Sequence, residues 1–167
     1  RQRIVKAGAA HYHRRVTRLR LQTFGGLQVH DAGGRPLVLA ARKPAALFAY
    51  LALHPGKPQP RSKLGALLWS DSGDAAARAS LRQALLVVRR ATGLGDDELV
   101  AGPGETLAIA EGVVAADALE LEAALDEDAF DAQRVGTLVA AIDGEFLEGL
   151  ATREAGYDDW LALRRAQ

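Results

Sequence analysis

The chain has 167 residues, 49% of them hydrophobic, which is enough for a compact core. It has no cysteine, which excludes disulfides and zinc–thiolate chemistry, and no apolar run approaching the roughly 20 residues of a membrane span. The net charge of +0 hides a division at Thr92: residues 1–92 hold 17 Lys and Arg against 3 acids, a balance of +14, and residues 93–167 hold 4 against 18, a balance of −14.

In chain order, RQRIVKAGAAHYHRR (1–15) has no sustained periodicity, and 1–17 reads as a basic linker or disordered arm. It lacks the uninterrupted apolar stretch of a signal peptide, so the expected location is the cytoplasm. His11 and His13 have no further ligands nearby and are not read as a metal site. The chain starts at Arg1 and contains no Met, which reads as a fragment or a processed product.

From Val16 the pattern is that of strands. Leu19 and Leu21 alternate with Arg18, Arg20 and Gln22, and Leu27 and Val29 alternate with Gln28 and His30. Gly25 and Gly26 interrupt the run as at a bulge, and DAGGR (31–35) supplies a turn before Leu37–Leu39. No helix and no Lys-Ser/Thr follows these glycines, so they are structural and do not form a phosphate loop.

A first helix is expected over 42–57, with Pro44 in its first turn and HPG ending it, and a short second helix over 60–70 with Ser62 as N-cap. SDSGD (70–74) is a turn, and a third helix runs from about Asp74 to Thr92 with Gly93 ending it. Two short apolar runs around GPGE form a hairpin over 98–112. Helices follow over 116–128, 130–143 and 144–167, with Leu119, Leu121, Ala123 and Leu125 on one face and Val135, Leu138, Val139 and Ile142 on another. DEDAFD (126–131) lacks the spacing of a calcium loop, and no catalytic constellation stands out, so neither a cofactor nor an enzyme is expected.

At about 100° per residue, Leu81, Ala84, Leu85 and Val88 form the core stripe of the third helix. Gln83 and Arg90 lie opposite, and Arg78, Arg82 and Arg89 lie along one flank. A bundle helix can look the same. The order of elements is more specific: strands, a helix, a short helix, a tight turn, a longer basic helix and a hairpin make a winged helix-turn-helix of α+β class, whose third helix enters the major groove. Arginine and glutamine there have the donors to address guanine and adenine, and lysines near the second helix can hold phosphate.

The stretches LRLQTFGGLQV, RKPAALFAYLALHPGK, RSKLGALLW, ARASLRQALLVVRRA, IDGEFLEGL and YDDWLALRR, in that order, resemble bacterial transcriptional activators of the Streptomyces antibiotic regulatory protein type. In those proteins an OmpR/PhoB-like winged helix precedes a bacterial transcriptional activator domain of tetratricopeptide-like helices. The resemblance implies a winged helix over 18–112 and only the opening helices of the activator domain over 113–167. It also implies binding to repeated sites in double-stranded promoter DNA, head-to-tail dimers there, and contact with RNA polymerase. By position, Arg82, Gln83, Leu86, Val87 and Arg90 meet base edges, and Arg61, Lys63, Trp69, Arg78 and Arg89 meet phosphate. Leu86 and Val87 are apolar where relatives carry polar or basic residues, and the tip AGPGE offers no cation to a minor groove. The competing expectation is a winged helix turned protein-interaction module. A further expectation is that the acidic helices either compete with DNA for the cationic face or pack away from it.

Overall fold

The computed structural model describes residues 17–126 and 130–166, so the arm up to Val16, with His11 and His13, lies outside the described residues. The elements run β1 (Leu19–Gln22), β2 (Gln28–Asp31), β3 (Pro36–Leu37), α1 (Arg42–Ala52), β4 (Gln59–Pro60), α2 (Arg61–Leu68) and α3 (Asp74–Thr92). Then come β5 (Leu99–Gly102), β6 (Thr106–Ile109), β7 (Val114–Ala116), α4 (Asp117–Leu125), α5 (Ala132–Ala140) and α6 (Ala155–Arg165).

Leu19, Leu21 and Val29 are buried while Arg20 and Gln28 stay exposed, as period-two alternation requires. β1 pairs antiparallel with β2, Leu21 opposite Val29, and the turn between β2 and β3 is tied by Asp31, whose Oδ1 accepts from Gly33 N–H at 3.0 Å and Arg35 N–H at 2.9 Å. The sheet order is β3-β2-β1-β7, with β7 parallel to β1, so the last strand comes from beyond Gly112. Sequence periodicity gave no sign of this three-residue strand or of β4, which completes a second sheet in the order β4-β6-β5. Between the sheets, α1, α2 and α3 bury Leu47, Phe48, Leu51, Leu64, Leu68, Leu81 and Val88 against Leu99, Leu107 and Ile109. The same core continues through Phe146, Leu147, Leu150, Tyr157 and Leu161. The fold is thus a winged helix-turn-helix followed by helices packed on it.

Several expected boundaries move, each for a physical reason. The first helix ends at Ala52 because Gly56, at φ +67, turns the chain so that its N–H reaches Ile109 O at 2.8 Å. Ser62 is not the cap of α2: Pro60 occupies that position, and the Arg61 N–H is satisfied by Glu105 O at 2.9 Å, from the hairpin tip. Gly25 and Gly26 form no ladder bulge; Gly25 donates to Glu145 O at 3.0 Å and lies so close to Asp143 O that a Cβ would meet it at 2.1 Å.

Residues 144–154 are not helical. Gly144, Leu147, Gly149 and Arg153 all have positive φ, and Leu147 donates to Thr23 O at 2.6 Å beside a bridge between Phe24 and Phe146. Tertiary pairing with the end of β1 overrides the apolar pattern there. On α4 it is Ala118 and Ala124 that are buried, while Leu125 is 50% exposed, and α5 buries no residue, so the two expected leucine and valine faces are only partly covered.

Candidate nucleic-acid interface

α3 is the longest helix among the described residues and follows from its sequence: alanine-rich, opened after Gly73, and closed by Gly93 at φ +69, whose N–H returns to Arg89 O at 2.8 Å. Ala77, Leu81, Ala84, Leu85 and Val88 are its buried stripe, as the periodicity predicts. The opposite face carries Gln83 and Arg90, with Arg82 on its flank, all exposed, and Leu86 47% and Val87 36% exposed beside them. Arg78 is exposed one turn before Arg82.

The structure sorts the expected phosphate contacts. Arg61, at the start of α2, and Arg78 line the same cleft of about 280 Å³ with Trp69, Asp74 and Glu105. Neither arginine makes an ion pair with a described residue, and the same holds for Arg82 and Arg90. Lys63 is engaged within the fold: its Nζ donates to Gln59 Oε1 at 3.1 Å and stands 5.7 Å from the centre of the Tyr50 ring. Trp69 is only 8% exposed, its ring facing Lys43 Nζ at 5.7 Å. Arg89 ties the end of α3 to the hairpin, donating to Leu99 O at 2.9 Å and pairing with Asp96 at 2.8 Å. Three of the five expected phosphate ligands therefore have structural occupations.

The hairpin tip brings no cation, and its Glu105 sits at φ +54. Among the described residues no cluster of His, Cys, Asp and Glu is placed to hold a metal ion.

Among the described residues, the acidic segment pairs with the cationic one at Glu98 with Arg18, Asp96 with Arg89 and Glu154 with Lys43, and only the last of these comes from residues 113–167. Glu154 Oε1 accepts from Lys43 Nζ at 2.6 Å, and its Oε2 accepts from Ser70 N–H at 2.8 Å and Ser70 Oγ at 2.7 Å. The hydrogen bond from Lys43, then that from the Ser70 side chain, holds the Glu154 carboxyl below its ordinary pKa. Glu154 thereby ties the turn between α2 and α3 to the start of α1. No sequence motif signals this, because the partners lie 84 and 111 residues away. The other ion pairs of residues 113–167, Arg164–Glu122 and Arg165–Glu145, are internal to that stretch. Among the described residues, no carboxylate of residues 113–167 pairs with a cation of α3. The helices of this stretch pack elsewhere, α4 on β1 and β7 and α6 on α2.

No protein-family model matches the chain, and no curated protein matches it. Among solved structures, the chain is similar to Mycobacterium tuberculosis EmbR, determined in complex with a low-affinity phosphopeptide, at 21% identity and a TM-score of 0.60. The likeness covers 87% of this chain and 41% of the EmbR chain, so this chain spans about two fifths of that protein, and the two share the winged-helix fold with the helices that follow it.

Proposed function

We propose that the chain binds double-stranded DNA at specific sequences and regulates transcription, α3 reading base edges in the major groove. The observation that carries this reading is the outward face of α3: Arg82, Gln83 and Arg90, exposed along a rigid helix, with neither Arg82 nor Arg90 in an ion pair with a described residue. A protein surface that holds several guanidiniums unpaired has its acceptors elsewhere, and guanine N7 and O6 and phosphate oxygens are the acceptors that suit them. Arg61 and Arg78, in one cleft at the start of α2 and α3, are the phosphate contacts.

The resemblance to Streptomyces antibiotic regulatory proteins extends this reading. Residues 18–112 are the winged helix and 113–167 the opening of a bacterial transcriptional activator domain, in a cytoplasmic protein with no catalytic step. Repeated promoter sites, head-to-tail pairing and activation through RNA polymerase belong to the same reading, which the fold shared with EmbR supports. The exposure of Leu86 and Val87 favours a second reading, in which α3 docks on a protein.

Selection of bound duplexes from a random pool tests the choice. An enriched sequence is expected, with affinity falling about a thousandfold between roughly 50 and 200 mM salt if about six phosphates are neutralised. No enrichment together with a flat salt response would refute DNA recognition.

A further inference from the structure

Two apolar side chains, Leu86 and Val87, stand among the polar ones on the outward face of α3. Leu86 lies four residues from both Arg82 and Arg90 and three from Gln83, so at 3.6 residues per turn it is the common neighbour of all three. Val87 lies four residues from Gln83 and three from Arg90. Neither side chain belongs to the core cluster, so the fold does not account for an aliphatic pair set among cations and a carboxamide.

The chemistry of the major groove does account for it. Three of the four bases present only donors and acceptors there, and a leucine laid over them leaves those groups without partners; thymine alone presents a methyl. The flanking arginines argue against a protein partner of the same shape, since it would have to bring acids to both Arg82 and Arg90 around an apolar pocket.

We propose, on the reading of α3 as the base-reading helix, that Leu86 with Val87 beside it covers thymine C5-methyl groups. The preferred site then carries thymine at its centre, guanine opposite Arg82 and Arg90, and adenine opposite Gln83. The test is to remake an enriched duplex with uracil replacing thymine one position at a time, which deletes one methyl and keeps every hydrogen-bonding group. At one or two positions the whole chain is expected to lose about fourfold in affinity, the transfer free energy of one such group. Leu86→Ala, or Leu86→Ala with Val87→Ala, is expected to abolish the difference between thymine and uracil at those positions while dependence on Arg82 remains. Both substitutions lie outside the core and favour helix, so the variants keep the fold. An enriched site whose affinity is indifferent to uracil everywhere, or whose uracil effect is unchanged in the variants, overturns this proposal and leaves DNA recognition standing. Failure to enrich any sequence overturns the DNA reading, and this proposal with it.

Discussion

Glu154→Ala tests whether the acidic segment is built into the winged helix. The carboxylate is 8% exposed and takes hydrogen bonds from Ser70 N–H, Ser70 Oγ and Lys43 Nζ. Ser70 is exposed, so water can replace the partner of its hydroxyl; the amide and the ammonium are less easily satisfied. At about 1 kcal/mol for a neutral hydrogen bond and 1.5–3 kcal/mol for a charged one, discounted for the partial exposure of Lys43, the loss is about 2–3 kcal/mol. That lowers the melting temperature by roughly 4–12 °C for a chain of this size. Glu154→Gln keeps an acceptor and loses only the charge, so it is expected to fall between alanine and wild type. The folded carboxyl titrates below its ordinary value of 4.5, so its contribution is fully present above that pH and is lost as pH falls through the folded value. Thermal unfolding of wild type and both variants at neutral pH and near pH 3 reads this directly. A difference below about 0.5 kcal/mol at neutral pH, or one that is undiminished in acid, would refute the role given to Glu154.

Arg82→Ala and Gln83→Ala are expected to cost about 1–3 kcal/mol on the preferred site and to relax its specificity, whereas Arg61→Ala weakens all duplexes alike. Lys63→Ala is expected to weaken binding less than Arg61→Ala, because its ammonium is already shared with Gln59 and Tyr50; titrations on specific and scrambled duplexes measure all four. The buried Tyr157 hydroxyl has no hydrogen-bond partner among the described residues, and burial raises its pKa. Tyr157→Phe is therefore expected to leave stability unchanged or raise it by about 1–2 kcal/mol, and denaturant unfolding showing a clear loss would contradict the unpaired hydroxyl.

What the sequence makes legible is what neighbouring residues decide. The stripe of α3, its stop at Gly93, the alternation of β1 and β2 and the turn at Asp31 all rest on interactions within a few residues, and each is read correctly. The misread elements depend on distant partners. β7 forms because β1 offers an open edge, residues 144–150 leave the helical pattern to bond Thr23, and α2 starts at Arg61, with its N–H held by the wing, so that Ser62 lies inside the helix. At the candidate interface, the cations of α3 can be recognised from helical spacing alone. That Lys63, Trp69 and Arg89 are occupied inside the protein cannot, because Tyr50, Lys43 and Asp96 come together with them only in the folded chain.

The opposite charges of the two segments suggest that removing the acidic one would free the cationic face, but the packing points the other way. A fragment ending at Gly112 loses β7, which pairs Val114 with Leu19 and Ala116 with Leu21, and it loses the Val113 carbonyl that accepts from Arg18 and Leu19. It also loses Asp117, which accepts from Thr23 N–H at 2.9 Å, and the buried Phe146, Leu147, Leu150, Tyr157 and Leu161. Each large apolar side chain removed from the core withdraws about 1.5–3 kcal/mol of burial, so these five withdraw about 7.5–15 kcal/mol, offset in part by the chain entropy no longer spent on ordering the removed segment. Against this, competition between acids and DNA rests on a field screened over about 8–10 Å, with no ion pair between residues 113–167 and α3 among the described residues. The fragment is therefore expected to unfold at lower temperature and bind DNA more weakly than the whole chain. Neutralising exposed acids that do not hold the core, such as Asp143→Asn with Asp159→Asn, is expected to change low-salt affinity less than threefold. A fragment that melts like the whole chain and binds more tightly at low salt would show that the acidic segment restrains DNA binding after all.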